Sequence, residues 1–252
     1  MSDSLSPEAV APHLRGRLGT PYLYEPECES TQLLLLGSEH PEGAVAATDH
    51  QTGGKGRHGR RWVAPARTSV LVSALLRPPA ERHLPELSLV AATAAAETVD
   101  AASGLTSQIK WPNDVMLNRR KVGGILCELS EGAVVVGVGL NVNQSRDELP
   151  LESSTEPGSL RSLTGTTYDR AVLLGSLLWH LERAYDSWLA DGLEELYESI
   201  GARDFLRGRR VTVDGEEATA MQIMRDGRLE IATGNGHGET RVIESGEVLF
   251  KP

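Results

Sequence analysis

The sequence predicts an α+β protein in two parts, a larger unit of strands and helices followed by a small antiparallel barrel. Two long stretches of helical periodicity stand among short apolar runs of strand character before residue 201. Beyond Gly201 the texture changes to closely spaced strand-like runs divided by turn dipeptides. A chain of 252 residues, 40% of them hydrophobic, can bury a core without disulfides or metals to staple it.

Residues 1–25, rich in proline, serine and polar side chains, read as an arm too short for an independent helix-turn-helix domain. Ser30 begins "STQLLLL", which by itself is the start of a helix with Ser30 or Thr31 as N-cap. "GAVAATDHQ" (43–51) and "SVLVSALL" (69–76) are strands. From Pro85 to Ser103 the pattern is helical: Leu87, Val90, Ala91, Ala94, Ala95 and Val99 share a face, and Pro85 suits the first turn. Three further strands follow, "SQIKWPNDVML", "RKVGGILCEL" and "GAVVVGVGLNVN", with Pro112 bending the first or placing it at an edge. Residues 144–168 are loop-like. Residues 169–200 are helical, with a core stripe of Leu174, Leu177, Leu178, Leu181, Tyr185 and Trp188 and a break at Gly192. In the last segment, "RRVTVD", "EATAMQIM", "RLEIAT", "TRVIES" and "EVLF" are separated by Asp214-Gly215, Asp226-Gly227 and a Gly234–Gly238 cluster, the spacing of a small antiparallel barrel. The expected division is an arm at 1–25, a main domain at 26–204 and the barrel at 205–252.

The net charge of −10 argues against a general nucleic-acid or membrane-surface binder, whose affinity rests on many cations. Cys28 and Cys127 form no CxxC pair, which excludes a disulfide framework and a cysteine zinc site and fits a reducing cytosol. With neither a signal-like apolar segment nor an 18-residue apolar run, the expectation is a soluble, cytoplasmic protein.

Against this acidic background "GGKGRHGRRW" (53–62) concentrates Lys55, Arg57, His58, Arg60 and Arg61 among glycines. Gly54-x-Gly56-x-x-Gly59 matches a dinucleotide fingerprint only as a string, because Arg60, Arg61, Trp62 and Pro65 lead into a strand where that fingerprint requires a helix. A P-loop fails as well, since no Ser or Thr follows Lys55. What remains is a solvated hairpin tip or a flap that closes on a polyanion, its glycines letting the backbone approach and its cations neutralising phosphate. Other segments favour the flap. Lys110, Asn113 and Asp114 stand in a stretch otherwise fit for burial, where charges must be paired or meet a ligand; a lone Asn-Asp turn is the plainer alternative. Lys121 precedes the Gly123-Gly124 pair, which lets a ligand or another chain approach the strand, although a lysine there can also simply snorkel. Asn141 and Asn143 close an otherwise apolar strand.

Taken in chain order, "CESTQ", Gln51 with "GGKGRHGRRW", "KWPND", "RKVGGILCE" and "GVGLNVN" resemble the motifs of the biotin–protein ligases. Each is weak alone, but five in order over a stretch running from about residue 25 to the C-terminus are specific. The resemblance implies a mixed sheet with flanking helices, of the class II synthetase-like catalytic fold, followed by an SH3-like barrel. It implies a short form without the N-terminal winged helix-turn-helix of repressor-type members, hence no nucleic-acid partner. The implied activity converts biotin and ATP, with Mg²⁺, into biotinoyl-5′-AMP and transfers biotin to a lysine of a biotin carboxyl carrier domain of acetyl-CoA or another acyl-CoA carboxylase, or of pyruvate carboxylase. The enzyme is expected as a monomer or weak homodimer.

Residue by residue, Ser30, Thr31 and Gln51 match the ureido-ring contacts. Lys55, Gly56 and Arg57 match the loop that covers biotin and the adenylate. Arg60 and Lys110 resemble phosphate-binding cations, and Lys121 the lysine that steadies carboxylate and phosphate oxygens. Gly124 matches a backbone contact to biotin. Trp62, Asn113 and Asn141 fall at nucleotide positions and Asp114 at a magnesium position. Three residues depart from the family pattern: Gln32 stands for Asn, Gly53 for Ala and Lys55 for the first Arg of the loop. A lipoate or octanoate transferase of the same fold would need a long apolar acyl tunnel and generally lacks the basic loop. A biotin-sensing DNA-binding regulator conflicts with the charge.

Overall fold

The computed structural model describes residues 4–150, 155–233, 239–246 and 248–250. Seven strands make the principal sheet: β1 (Tyr22–Cys28), β2 (Val45–Gln51), β3 (Ser69–Leu76), β4 (Gln108–Lys110), β5 (Asp114–Leu117), β6 (Arg120–Ser130) and β7 (Ala133–Asn141), in the order β1-β2-β3-β7-β6-β5-β4. Only β1 and β2 pair in parallel, so the sheet is mixed. Every residue of β3 is buried, as expected of a central strand covered on both faces.

Among the described residues five α-helices belong to this unit: α1 (Pro7–Val10), α2 (Leu87–Ser103), α3 (Leu160–Thr164), α4 (Arg170–Asp191) and α5 (Tyr197–Ala202). α2 and α4 pack against each other and against the sheet. The predicted stripe on α4 is buried throughout, and Gly192 at φ 64° ends the helix as foreseen, because that φ suits only glycine cheaply. Asp169 caps α4, its Oδ1 accepting from the amides of Ala171 and Val172.

Two expectations change. The stretch after Ser30 is not an α-helix but successive turns over residues 31–37. Most of its backbone bonds span three residues, Gly37 at φ 67° stops it, and the Thr31 side chain is turned toward the sheet rather than onto the following amides. The N-terminal segment is also more than an arm: Leu5 and Val10 are fully buried in the core, and β1 already begins at Tyr22. Asp49 explains the docking. Its Oδ1 accepts from the Leu5 amide, its Oδ2 from Ser4 Oγ and Tyr24 Oη, and Arg170, itself fully buried, donates to Oδ1 at 3.0 Å and to the Ser69 carbonyl.

Burial pushes the Asp49 carboxyl up, but the Tyr24 and Leu5 hydrogen bonds and the Arg170 guanidinium outweigh it and hold it below the ordinary carboxylate range. Its contribution to stability is therefore present at neutral pH and lost as pH falls through the ordinary carboxylate range and below. Replacing Arg170 by Met strands that carboxylate, and we expect a loss of about 3–5 kcal/mol in denaturant unfolding at pH 7, shrinking toward acid pH. An unchanged unfolding midpoint would remove the pair from any structural role.

The second sheet is antiparallel: β8 (Arg210–Val213), β9 (Glu216–Ile223), β10 (Leu229–Thr233), β11 (Thr240–Ile243) and β12 (Val248–Phe250), ordered β11-β10-β9-β8-β12. Asp214-Gly215 and Asp226-Gly227 form the predicted turns, with Gly215 and Gly227 at positive φ. The Gly234–Gly238 cluster lies outside the described residues. The two sheets are joined at β4: Ile109 donates to the Arg203 carbonyl and accepts from the Phe205 amide, and the Trp111 indole donates to the Gly227 carbonyl at 2.9 Å. Among the described residues no helix is long and apolar enough to cross a membrane.

Candidate active site

A cavity of about 380 Å³ opens where the ends of β2, β5, β6 and β7 converge under the basic loop. Its inner end is neutral and polar. Ser30 and Thr31 leave β1 and are buried; the Thr31 amide donates to Gln51 Oε1 at 2.8 Å, and Thr31 Oγ1 lies 2.7 Å from Ser73 Oγ. Ser73 was not singled out from sequence, although a serine within the apolar run "SVLVSALL" was the available signal. Gln32, the departure from Asn, is buried beside them; its Nε2 donates to the Leu126 carbonyl at 2.8 Å. The Gln32 amide packs so near Gly137 that a Cβ there would lie 2.9 Å from Nε2.

The outer end is cationic. Lys55, Arg57, Arg60, Arg61 and Lys121 line the cavity, and among the described lining residues Asp114 is the one carboxylate. The basic loop is a small hairpin: Lys55 and Arg61 form an isolated bridge, the Gly56 amide donates to the Arg60 carbonyl, and the Trp62 amide to the Gly54 carbonyl. At Gly53 a Cβ would meet Glu29 Cγ at 2.7 Å, which gives a local reason for glycine where the family pattern has alanine. Arg57 Nη1 donates to Asn113 Oδ1 at 3.3 Å, and Lys55 Nζ stands 3.8 Å from Glu128. These contacts tie the loop to the β4–β5 turn and to β6.

Trp62 closes the loop and roofs two strands. Its ring lies over Gly124 and Gly139, where a Cβ would come within 3.0 and 2.7 Å respectively, and Lys121 Nζ stands 5.8 Å from the ring centroid. Trp62 Nε1 and Gln32 Oε1 are both buried and find no hydrogen-bond partner among the described residues. Buried polar atoms left unmatched in a cavity wall are what a polar ligand would satisfy.

The "KWPND" segment makes the hairpin between β4 and β5. Asn113 is locked to β6, its Nδ2 donating to the Ile125 carbonyl at 2.7 Å. Asp114 sits between two lysines: Lys121 Nζ is 2.5 Å from Oδ1 and Lys110 Nζ is 3.9 Å from Oδ2. Lys110 does not line the cavity. It is buried behind Asp114, donating to Thr155 Oγ1 at 3.2 Å with its ammonium 5.8 Å from the Phe250 ring. Asn141 lines the cavity while its Nδ2 donates to the Gly158 carbonyl and its Oδ1 accepts from Gln144. Ser30, Thr31, Gln51, Lys55, Gly56, Arg57, Arg60, Trp62, Asn113, Asp114, Lys121, Gly124 and Asn141 therefore share one cavity, and Lys110 alone of the predicted set stands outside it.

The arrangement limits the chemistry. Burial pushes the Cys127 thiol up to about 11, so it is no thiolate at neutral pH. No group of three or more His, Cys, Asp or Glu side chains that could cage a metal exists among the described residues, and both Asp114 oxygens face ammonium groups. As it stands Asp114 does not fit the role of a magnesium ligand. The cavity suits a ligand with a neutral, hydrogen-bonding head at the Ser30–Gln51 end and phosphate at the loop end.

The chain is similar to known proteins in sequence and fold. The Biotin/lipoate A/B protein ligase family model matches residues 27–145. The bifunctional ligase/repressor BirA of Bacillus spizizenii is 33% identical over 234 residues, taking in 87% of this chain and 71% of that protein. The biotin--[acetyl-CoA-carboxylase] ligase of Mycobacterium tuberculosis is 34% identical over 221 residues, 82% of this chain and 79% of that one. Among solved structures, the biotin protein ligase from Aquifex aeolicus in complex with biotin and ATP superposes with a TM-score of 0.81 at 29% identity, covering 91% of this chain and 97% of that chain. By sequence and by fold, the chain belongs to the biotin protein ligases of the biotin/lipoate A/B protein ligase family.

Proposed function

We propose that this protein joins biotin to ATP as biotinoyl-5′-AMP and then transfers the biotinoyl group to a lysine of a carboxylase carrier domain. The observation that carries the reading is the polarity of this cavity, hydroxyl and amide groups at one end and a cluster of cations at the other. Biotin's ureido ring would lie against Ser30, Thr31 and Gln51, and its carboxylate would reach toward Lys121. A carboxylate oxygen attacks the α-phosphorus, the bond to the β-phosphate breaks, and pyrophosphate leaves.

The carboxylate needs no base. The obstacle is anion meeting anion, so this chain's contribution is positioning and charge neutralisation by Lys121, Arg57 and Arg60. Lys110 acts through Asp114, steadying the carboxylate that in turn holds Lys121. Trp62, Asn113 and Asn141 border the nucleotide, and the loop with Lys55, Gly56 and Arg57 excludes water from a mixed anhydride. Gly124 lets the ligand pass close to β6. Magnesium would enter on the ATP phosphates, where it shields their charge. In the second step the carrier's amine attacks the acyl carbon and AMP departs.

Incubation of the protein with biotin, ATP and Mg²⁺ should release AMP and pyrophosphate, and a carrier domain should gain one biotinoyl amide by mass spectrometry. ADP and phosphate as products would exclude adenylation. Lipoate supporting the reaction in place of biotin would move the chain to the other branch of its family.

A further inference from the structure

Gln144 is a buried polar residue that packing alone does not explain. It is 1% exposed and does not line the cavity. Its Nε2 donates to Asn141 Oδ1 at 3.0 Å and to Ser69 Oγ at 2.7 Å, while its Oε1 finds no donor among the described residues. A buried amide with an unmatched oxygen costs stability that an apolar side chain of similar volume would not. Such a local loss is expected where a residue serves the site rather than the core.

What Gln144 serves follows from the polarity of its partners. The Gly158 carbonyl can only accept, so the Asn141 amide turns Nδ2 toward it, at 3.0 Å. That leaves Oδ1 facing Gln144, and an oxygen there calls for a donor, which Nε2 supplies. The Gly158 amide in turn donates to the Lys121 carbonyl at 2.9 Å. One chain of bonds therefore runs from Gln144 through Asn141 and Gly158 to Lys121. The backbone of Gln144 is held as well, since the fully buried Ser159 donates through Oγ to its carbonyl at 2.6 Å. Along β7 the cavity face passes from Gly137, beside Gln32, to Gly139, beneath Trp62, and then to Asn141. Because Gly139 pairs with Gly124 and Leu140 with Gly123, that direction leads toward Lys121 and away from the neutral end.

We propose that Gln144 is a positioning residue for the nucleotide: it locks the Asn141 amide in one orientation and so fixes the N–H and the lone pair which that amide has left for the ligand. The inference rests on the adenylating activity proposed above. Asn141 is the group that meets the nucleotide, and Gln144 acts through it. An apolar side chain at position 144 leaves Asn141 Oδ1 without its donor and the amide without a fixed orientation. The neutral end of the cavity, built from Ser30, Thr31 and Gln51, stays as it is.

The test measures, on the full chain, the dissociation constants of biotin alone and of chemically prepared biotinoyl-AMP, with KM for ATP and for biotin from pyrophosphate release alongside. Gln144→Met should weaken biotinoyl-AMP binding roughly five- to tenfold, the worth of one hydrogen bond, and raise KM for ATP by a similar factor. Biotin binding should be unchanged and the thermal midpoint equal or higher, which a merely structural role would not give. Ser69→Ala removes only the acceptor of the other Nε2 hydrogen; it should shift the same two quantities in the same direction by less, and it carries the test should Gln144→Met not fold. With Asn141 already replaced by alanine, Gln144→Met should have no further effect. Equal losses for biotin and biotinoyl-AMP, a lowered midpoint with both ligands bound normally, or an undiminished loss in the Asn141→Ala background would each overturn the assignment. Selective loss of biotinoyl-AMP affinity in a chain whose wild type releases no pyrophosphate from ATP and biotin would leave Gln144 in its role and overturn the proposed activity.

Discussion

Lys121→Ala is expected to slow biotin-dependent pyrophosphate release by about a hundred- to a thousandfold, the usual cost of removing one preorganised donor from a site of developing negative charge. Lys121 is the cation best placed for that task. Its ammonium is fixed by Asp114 at 2.5 Å, stands over the Trp62 ring and belongs to the cavity wall. Its backbone does the structural work separately, donating to the Glu156 carbonyl and accepting from the Gly158 amide, bonds that alanine keeps. Asp114 would retain Lys110, so the truncation does not leave a bare buried carboxylate. The thermal midpoint should therefore move little while the rate collapses. A second variant, Asp114→Asn, should also lower the rate, by less, because it unfixes the ammonium without deleting it. Near-normal adenylation by Lys121→Ala would reduce Lys121 to a snorkelling residue at the cavity wall.

Gly139→Ala is expected to cost about 1–3 kcal/mol of stability through overpacking and to lower adenylation by a comparable factor, roughly ten- to a hundredfold. The added methyl would lie 2.7 Å from Trp62 Cε2 and 2.8 Å from Cζ2, distances that carbon atoms do not tolerate. An indole has no flexible end to retract, so the ring must leave the surface of β7 and draw the end of the basic loop with it. The check is a double-mutant cycle with Trp62→Ala. If the clash is the cause, Gly139→Ala should be nearly neutral once Trp62 is alanine, giving a large interaction energy between the two sites. Additive effects would place the damage in the strand itself and separate Trp62 from it.

How much of this was legible beforehand differs by element. Strands with an unbroken apolar character, such as β3 and β7, and the stripe on α4 follow from periodicity, because burial on a regular element writes itself into the sequence. The turns after Ser30 have the local signature of a helix, since "STQLLLL" carries a cap and apolar residues, and only the tertiary contacts of Thr31 with Gln51 and Ser73 decide against it. The docking of residues 4–10 was invisible for a similar reason. It depends on Asp49 and Arg170, 121 positions apart, which no local pattern links. In the site, the motifs marked the residues that line the cavity, but not the layering that puts Lys110 behind Asp114. A lysine in front of a carboxylate and a lysine behind it have the same spelling.

The junction at β4 bears on how the protein must be made. Ile109 and Trp111 flank Lys110, and their polar groups are matched by Arg203, Phe205 and Gly227. The seven strands of the principal sheet are all encoded before residue 142, so they leave the ribosome well ahead of these partners. Until the second sheet has emerged and folded, the hairpin that carries Asn113 and Asp114 hangs on an unfinished edge, and Lys110 lacks the Phe250 ring beside it. A nascent or clipped chain would therefore own most of the cavity's residues without their alignment. The second sheet thus takes part in aligning the floor of the cavity, through Gly227 against Trp111 and Phe250 beside Lys110.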